Sequence, residues 1–262
     1  TSDLEAGKRY GIPVIGTAAH AFTLLHDSER QAFDAQIASL GPNTTLLVDT
    51  YNVTEGVKTA VEAARAAGGE LGAVRLDSGD LVAQAFTVRG QLDALGATST
   101  KITVTSDLDE YAIAALGAAP VDSYGVGTRL ITGSGVPTAA LVYKLVSRED
   151  SNGNMVGVAK KSASKNTVAG KKYAGRLYDE DGYASEEILF TGSAEEATVF
   201  FEENGARPLQ VPLIVDGEIQ SEAWSSQALS EAQAHHLRSR NELPYQAWRL
   251  SEGEPAIPTR YI

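Results

Sequence analysis

One repeated pattern in the first half of the chain constrains its fold more than any other feature. A short apolar run ends in glycine or polar residues, and a helical stretch follows. Residues 12–15 lead into Gly16-Thr17 and a helix over about 18–40. Residues 45–48 lead into Asp49-Thr50-Tyr51 and a helix over 53–67. Residues 72–76 lead into Asp77-Ser78-Gly79-Asp80 and a helix to Leu95. Residues 102–104 lead into Thr105-Ser106-Asp107 and a helix through Leu116, and residues 121–124 lead into Gly125-Val126-Gly127-Thr128. Uninterrupted apolar strands between helices predict parallel strands covered on both faces. Val57, Ala60, Val61 and Ala64 recur at helical spacing, and Gly68-Gly69 and Gly96 stand where helices should stop. Five such units in order predict an α/β fold, part of a (β/α) barrel or a doubly wound sheet.

From residue 141 the pattern changes. Residues 141–146 alternate like a strand, and Ser151-Asn152-Gly153-Asn154 is a turn signal. Further strands are expected at 156–160, 173–178 and 198–201, with a turn at Asp181-Gly182 and a polar helix over 225–240. The expected organisation is a partial α/β barrel carrying the active-site loops at 1–147. A smaller antiparallel β annex with a C-terminal helix is expected at 148–262, the boundary falling near 147–154.

Composition excludes several classes. The 262 residues carry a formal charge of −12, which would repel a nucleic acid unless a basic patch intervened. The absence of cysteine removes disulfides, thiolate nucleophiles, Cys-bound zinc and iron–sulfur clusters together. No apolar run reaches the roughly 18 residues that span a bilayer, and no signal peptide is visible, so a cytoplasmic enzyme is expected. The chain starts Thr1-Ser2-Asp3 without Met, and residues 4–10 read as the middle of a helix; both features suggest a piece of a longer polypeptide.

In parallel α/β folds chemistry collects at the C-terminal ends of the strands. The polar residues at those ends include Thr17 with His20, Asp49, the Arg75/Asp77 pair, Ser106 with Asp107, and Gly125, Gly127 and Thr128. Arg75 and Asp77 alternate along a strand end and share a face. Such a face suits phosphate and ribose hydroxyls, or a metal through the carboxylate; the plainer alternative is a structural ion pair. Asp80 reads as a helix N-cap. Gly125-Val126-Gly127-Thr128 offers backbone amides and a hydroxyl to a phosphate, although a Gly-x-Gly also closes ordinary tight turns. His20 begins a helix, where a neutral imidazole is favoured and serves as nucleophile, base or ligand; a lone His is more often structural. No HExxH spacing, Gly-x-Ser-x-Gly elbow or Walker A motif occurs. Lys160, Lys161, Lys165, Lys171, Lys172 and Arg176 form a basic run, either a solvated hairpin face or a lip that draws polyphosphates.

Taken together, these stretches resemble the nicotinate phosphoribosyltransferase family. The matching segments are Thr1-Ser2-Asp3-Leu4, Gly16-Thr17-Ala18-Ala19-His20-Ala21-Phe22, Val48-Asp49-Thr50-Tyr51-Asn52, Arg75-Leu76-Asp77-Ser78-Gly79-Asp80-Leu81, Ser106-Asp107-Leu108-Asp109-Glu110, Tyr124-Gly125-Val126-Gly127-Thr128 and Val142-Tyr143-Lys144-Leu145-Val146. They occur in the family's order, over the C-terminal part of a family member. The resemblance implies an irregular α/β barrel of the type II phosphoribosyltransferase kind. It implies transfer of phosphoribose from 5-phosphoribosyl 1-pyrophosphate to nicotinate, coupled to ATP hydrolysis and assisted by Mg²⁺, in a homodimer. It places the phosphorylated histidine at His20 and Ser2 near the pyridine carboxylate. Arg75 and Asp77 would hold the ribose-phosphate region, with Gly125, Gly127 and Thr128 at the 5′-phosphate. Asp49 and Asp77 are the candidate magnesium contacts, and Thr17, Ser106 and Asp107 further substrate contacts.

Three alternatives compete. An aldolase or isomerase barrel wants a Lys or Glu at a strand end, and none stands there. Nicotinamide and quinolinate phosphoribosyltransferases share the architecture, but the first should prefer an acid at Ser2 and the second more basic residues. An inactive piece with a binding or structural role would not be expected to keep the strand-end polar set.

Overall fold

The computed structural model describes residues 1–162, 167–220 and 226–262, and they divide into two units. One comprises residues 1–2 and 14–140, the other residues 3–13 and 141–262.

In the first unit α2 (His20–Leu24) and α3 (Glu29–Leu40) precede β1 (Thr45–Leu47), after α1 (Leu4–Tyr10) of the other unit. Then α4 (Val53–Ala66), β2 (Ala73–Leu76), α5 (Leu81–Ala94), β3 (Lys101–Val104), α6 (Glu110–Ala115), β4 (Ser123–Tyr124) and α7 (Thr128–Thr132) follow. The strands form one parallel sheet in sequential order β1-β2-β3-β4, without the reversal of a doubly wound sheet. The sheet is open among the described residues: four parallel strands agree with the expected α/β class, and the irregular barrel implied by the resemblance is not shown by them.

Alternate strand residues meet different environments. Leu46, Val48, Val74, Leu76, Ile102 and Val104 are fully buried in a core with Phe33 and Ile37 of α3, Val57 and Val61 of α4, and Val88 and Leu92 of α5. Arg75 and Thr103 point the other way and are only half-buried. The expectation of strands covered on both faces is therefore corrected: β2 and β3 alternate, one face packed by helices and the other polar.

Two caps match the sequence logic. Asp80 caps α5 by accepting from the Ala83 amide at 3.0 Å, and Asp109 caps α6 through the Ala112 amide at 2.8 Å. The helix expected over 18–40 is instead two. Residues between them leave the helical path, and Ser28 restarts it by capping α3 through the Gln31 amide at 3.3 Å. Residues 12–15, expected as a strand, form none. Pro13 has no amide to donate, and the Ile15 amide pairs with the Thr1 carbonyl alone at 2.9 Å.

The second unit adds β5 (Ser147–Glu149), β6 (Met155–Gly157), β7 (Lys172–Tyr178), β8 (Ala184–Thr191), α8 (Ala194–Glu203), β9 (Arg207–Pro208), β10 (Ile214–Val215), β11 (Glu218–Ile219), α9 (Ser226–Asn241) and β12 (Thr259–Tyr261). Its main sheet runs β12-β8-β7-β9, antiparallel except that β12 lies parallel to β8. The strand expected at 198–201 lies inside α8. The β-branched and aromatic run favours a strand locally, but Ser193 and Glu196 form a reciprocal capping box that starts a helix. Residues 141–146 are assigned to no strand; only Val146 at their end joins the pairing, its carbonyl accepting from the Val158 amide at 2.9 Å and the Gly170 amide at 2.7 Å. The basic run is partly absorbed: Lys172 donates to the Val168 and Gly170 carbonyls, and Arg176 pairs with Glu187 at 2.6 Å. Lys165 lies outside the described residues.

Gly56 sets the docking depth of α4. A Cβ there would overlap the Val48 carbonyl oxygen, so the helix sits against the strand exit that presents Asp49. Alanine normally improves a helix, but Gly56→Ala should destabilise by about 1–3 kcal/mol through overpacking, read as a lower urea midpoint with unchanged slope.

Candidate active site

The polar face of the sheet and the loops at its strand ends bound a cleft of about 720 Å³ in the first unit. Thr17, Arg75, Asp77 and Ser2 line it, as do Ser106 and Asp107. Gly125, Gly127 and Thr128 close its far side. Asp49 and His20 stand beside it, against Asp77. The structure thus brings together residues that the chain spaces from position 2 to position 128.

Arg75 is held by three partners. Its Nη1 donates to Thr17 Oγ1 at 2.6 Å, Nη2 to Asp77 Oδ1 at 2.7 Å, and Nε to Thr105 Oγ1 at 2.7 Å. The Thr105 hydroxyl also contacts Asp77 Oδ1. Burial alone would raise the Asp77 pKa, but the bonds from Thr105 and Arg75, with the Arg75 charge and His20 nearby, hold it below the usual aspartate value.

Asp49 joins two loops. Its Oδ2 accepts from the amides of Asp77 at 2.7 Å and Ser78 at 3.0 Å, and from the Ser78 hydroxyl at 3.2 Å. Its Oδ1 is buried without a hydrogen-bond partner, 3.8 Å from His20 Nε2. Asp77 Oδ2 approaches the same nitrogen at 3.8 Å, and His20 Nδ1 pairs with the Thr50 hydroxyl at 3.0 Å. One ring nitrogen therefore meets two carboxylates and the other a hydroxyl.

The remaining loops are shaped by close approach and strain. A Cβ on Gly125 would overlap the Thr105 methyl, whereas Gly127 has open space around it. Ser106 adopts φ 137°, a region that favours glycine and costs another residue about 1–3 kcal/mol. Asp107 pairs with Arg129 Nε at 3.1 Å. The other histidines lie elsewhere: the His26 ring lies tilted against Phe22 and pairs with its carbonyl, and His235 and His236 are exposed on α9.

Sequence reasoning missed several contributors. Thr50 stood among the strand-end polar residues but was given no role, and Thr105 lay in a strand-end loop without a signal separating it from ordinary loop hydroxyls. Glu29 gave none, since an acid in a first helical turn is common. Yet its Oε1 is buried without a partner. Burial, followed by the charge of Asp49, pushes its pKa up to about 7.

As a cation site the cluster is sparse. Among the described residues no three potential ligands gather closely enough to hold a metal ion. A magnesium ion bound mainly through substrate phosphates needs only one or two carboxylates, and the unpartnered Asp49 Oδ1 fits that role.

An open parallel sheet whose strand ends gather an Arg–Asp pair, a glycine loop and a histidine between carboxylates defines an α/β protein with a polar cleft at the C-terminal edge of its strands. No family model matches the chain. A nicotinate phosphoribosyltransferase of Mycobacterium tuberculosis is 49% identical over 270 residues, covering 100% of this chain and 57% of the relative. That of Bacillus subtilis is 39% identical over 193 residues, 71% of this chain and 39% of the relative. The crystal structure of human nicotinic acid phosphoribosyltransferase superposes with a TM-score of 0.68 at 23% identity, over 100% of this chain and 62% of that one. A nicotinate-nucleotide pyrophosphorylase from Pyrococcus furiosus shares the fold with a TM-score of 0.61 at 24% identity, over 92% of this chain and 58% of that one. The chain belongs to the nicotinate phosphoribosyltransferase family. It spans 57% of the length of the mycobacterial relative.

Glu29 generates a pH prediction. An acid whose folded pKa lies above its unfolded value of 4.5 makes the native state bind more protons, so it lowers stability as pH rises from about 4.5 to about 7. Glu29→Gln should therefore gain thermal midpoint over wild type across that window and hold the gain above it. Solvent screening at this half-exposed position limits the gain to roughly 1 kcal/mol; equal midpoints at pH 5 and pH 8 would contradict it.

Proposed function

We propose that this chain carries the phosphoribosyl-transfer site of a nicotinate phosphoribosyltransferase. The reaction joins the nicotinate ring nitrogen to the ribose C1 of 5-phosphoribosyl 1-pyrophosphate and releases pyrophosphate, yielding nicotinate mononucleotide for NAD synthesis. The observation that carries this reading is the braced Arg75–Asp77 pair facing His20 and Asp49 in the cleft. The 49% relative supports the choice of substrates.

Loss of pyrophosphate leaves a cationic, oxocarbenium-like ribose carbon, so positioning and electrostatics dominate. Asp77, kept ionised by its donors, supplies negative charge beside that carbon and can accept from ribose hydroxyls. Arg75 uses three of its five N–H hydrogens within the protein, leaving two for phosphate oxygens. Gly125, Gly127 and Thr128 present amides and a hydroxyl to the 5′-phosphate. Thr17, Ser106 and Asp107 complete the substrate wall. Ser2, which lines the cleft, donates to the nicotinate carboxylate, where an acid would repel it. The pyridine nitrogen carries no proton at neutral pH, so no strong general base is required. Bound Mg²⁺, held by Asp49 and Asp77 with the pyrophosphate, would neutralise the leaving group.

The ATP-coupled step belongs to His20. A ring nitrogen of its imidazole would take the γ-phosphoryl group of ATP, forming an N–P bond as the bond to the β–γ bridging oxygen breaks and ADP leaves, and Thr50 on one side with the carboxylates on the other orients the ring. The finer expectations go with this reading: an irregular barrel completed in the whole enzyme, a homodimer, and a cytoplasmic setting. Among the described residues no helix is long and apolar enough to cross a membrane.

The test is nicotinate-dependent release of pyrophosphate, with and without ATP. Wild type should respond to ATP, and His20→Ala should retain basal transfer but lose that response; full ATP coupling in His20→Ala would remove the assigned role. Asp77→Asn should lower kcat about 10²–10³-fold, the scale of losing one preorganised electrostatic contact.

A further inference from the structure

Thr105 follows β3, on the strand next to the one that carries Arg75 and Asp77. Its amide donates to the Leu76 carbonyl at 2.9 Å, which extends the ladder between β2 and β3 and fixes its backbone. A threonine hydroxyl has one hydrogen to give and two lone pairs to accept with. Here Oγ1 accepts Arg75 Nε–H at 2.7 Å and directs its hydrogen to Asp77 Oδ1; the Leu76 carbonyl, at 3.5 Å, is the distant alternative. Arg75 Nη2 donates to the same Oδ1 at 2.7 Å. Guanidinium, carboxylate and hydroxyl close a ring of three. With Oδ1 occupied by two donors, Oδ2 is left to face His20 Nε2 at 3.8 Å. The other branch of the same side chain, the methyl, fills the space where a Cβ on Gly125 would stand. One side chain therefore touches the ion pair with its hydroxyl and the glycine loop with its methyl.

We infer that Thr105 is a positioning residue for phosphoribosyl transfer, its hydroxyl locking the Arg75 guanidinium and Asp77 carboxylate into one rigid unit aimed at the ligand. The inference rests on the transfer reading given above. An ion pair on a single strand end retains freedom about the long arginine side chain. A brace from the neighbouring strand removes it, and the geometry of a transfer site is sensitive to displacements of about 1 Å. The hydroxyl carries this role; the methyl only spaces the loop.

Two near-isosteric substitutions separate the branches. Thr105→Val keeps the methyl and removes the hydroxyl, while Thr105→Ser keeps the hydroxyl and removes the methyl. Kinetics are measured on the protein as the cell makes it, with 5-phosphoribosyl 1-pyrophosphate varied at saturating nicotinate. Thr105→Val should lower kcat/KM for the phosphoribosyl donor by at least about tenfold, and Thr105→Ser should stay within about threefold of wild type. A merely packed residue gives the opposite order. A second readout needs no turnover. The Arg75 Nε–H proton should exchange slowly with solvent in nitrogen-15 NMR spectra of wild type and Thr105→Ser, and rapidly in Thr105→Val. The inference is overturned if Thr105→Val stays within about twofold of wild type in kcat/KM, or if its Arg75 Nε–H remains protected. Should wild type transfer no phosphoribose to nicotinate, the proposed reaction fails, and the exchange measurement alone decides whether Thr105 braces the pair.

Discussion

A single carboxylate oxygen ties the first two strand-end loops together. Asp49 Oδ2 sits after β1 and receives the amides of Asp77 and Ser78, which follow β2. Backbone amides at a strand exit must find acceptors or water, and here they find a charged side chain from the adjacent strand. That contact fixes the direction of the Asp77 backbone, hence where its carboxylate points, hence which oxygens converge on His20. It also leaves Asp49 Oδ1 buried without a partner. A polar atom in that state costs free energy unless a ligand, ion or proton answers it. The same carboxylate thus organises the resting loops and stands ready for a further partner.

Beneath the loops, the division of the sheet into two chemical faces makes the arrangement affordable. Leu46, Val74, Leu76, Ile102 and Val104 go to the helical side and are fully buried. The intervening Arg75 and Thr103 line the cleft. Because side chains alternate strictly along a strand, a slip of one residue would bury the guanidinium and expose the core. The apolar face thereby holds the polar face in register, and stability and function depend on one periodicity.

Much of this was legible in the sequence. The loop residues from Gly16 to Thr128 could be marked because apolar runs ended abruptly beside them, although the first of those runs forms no strand, and parallel order made their gathering an expectation. Asp80 as a cap was readable from its place before an apolar helix. Other features were hidden by local rules that favoured the wrong answer. The run Thr198-Val199-Phe200-Phe201 has strand composition, but a capping box a few residues earlier decides for a helix. Apolar alternation over 141–146 gives no strand because a ladder requires a partner, which a local pattern cannot supply. Glu29 and Thr105 escaped because their importance lies in residues far along the chain, Asp49 for one and Arg75 and Asp77 for the other.

The backbone of Ser106 carries a consequence for how this site tolerates change. Its φ of 137° suits glycine better than serine, so any side chain there is held at a cost by the strand before it and the loop after it. A residue kept against its own conformational preference acts like a loaded joint: relaxing it moves Thr105 on one side and Asp107 on the other. Variation at this position is consequently expressed less as a new contact than as a shift in where its two neighbours reach into the cleft.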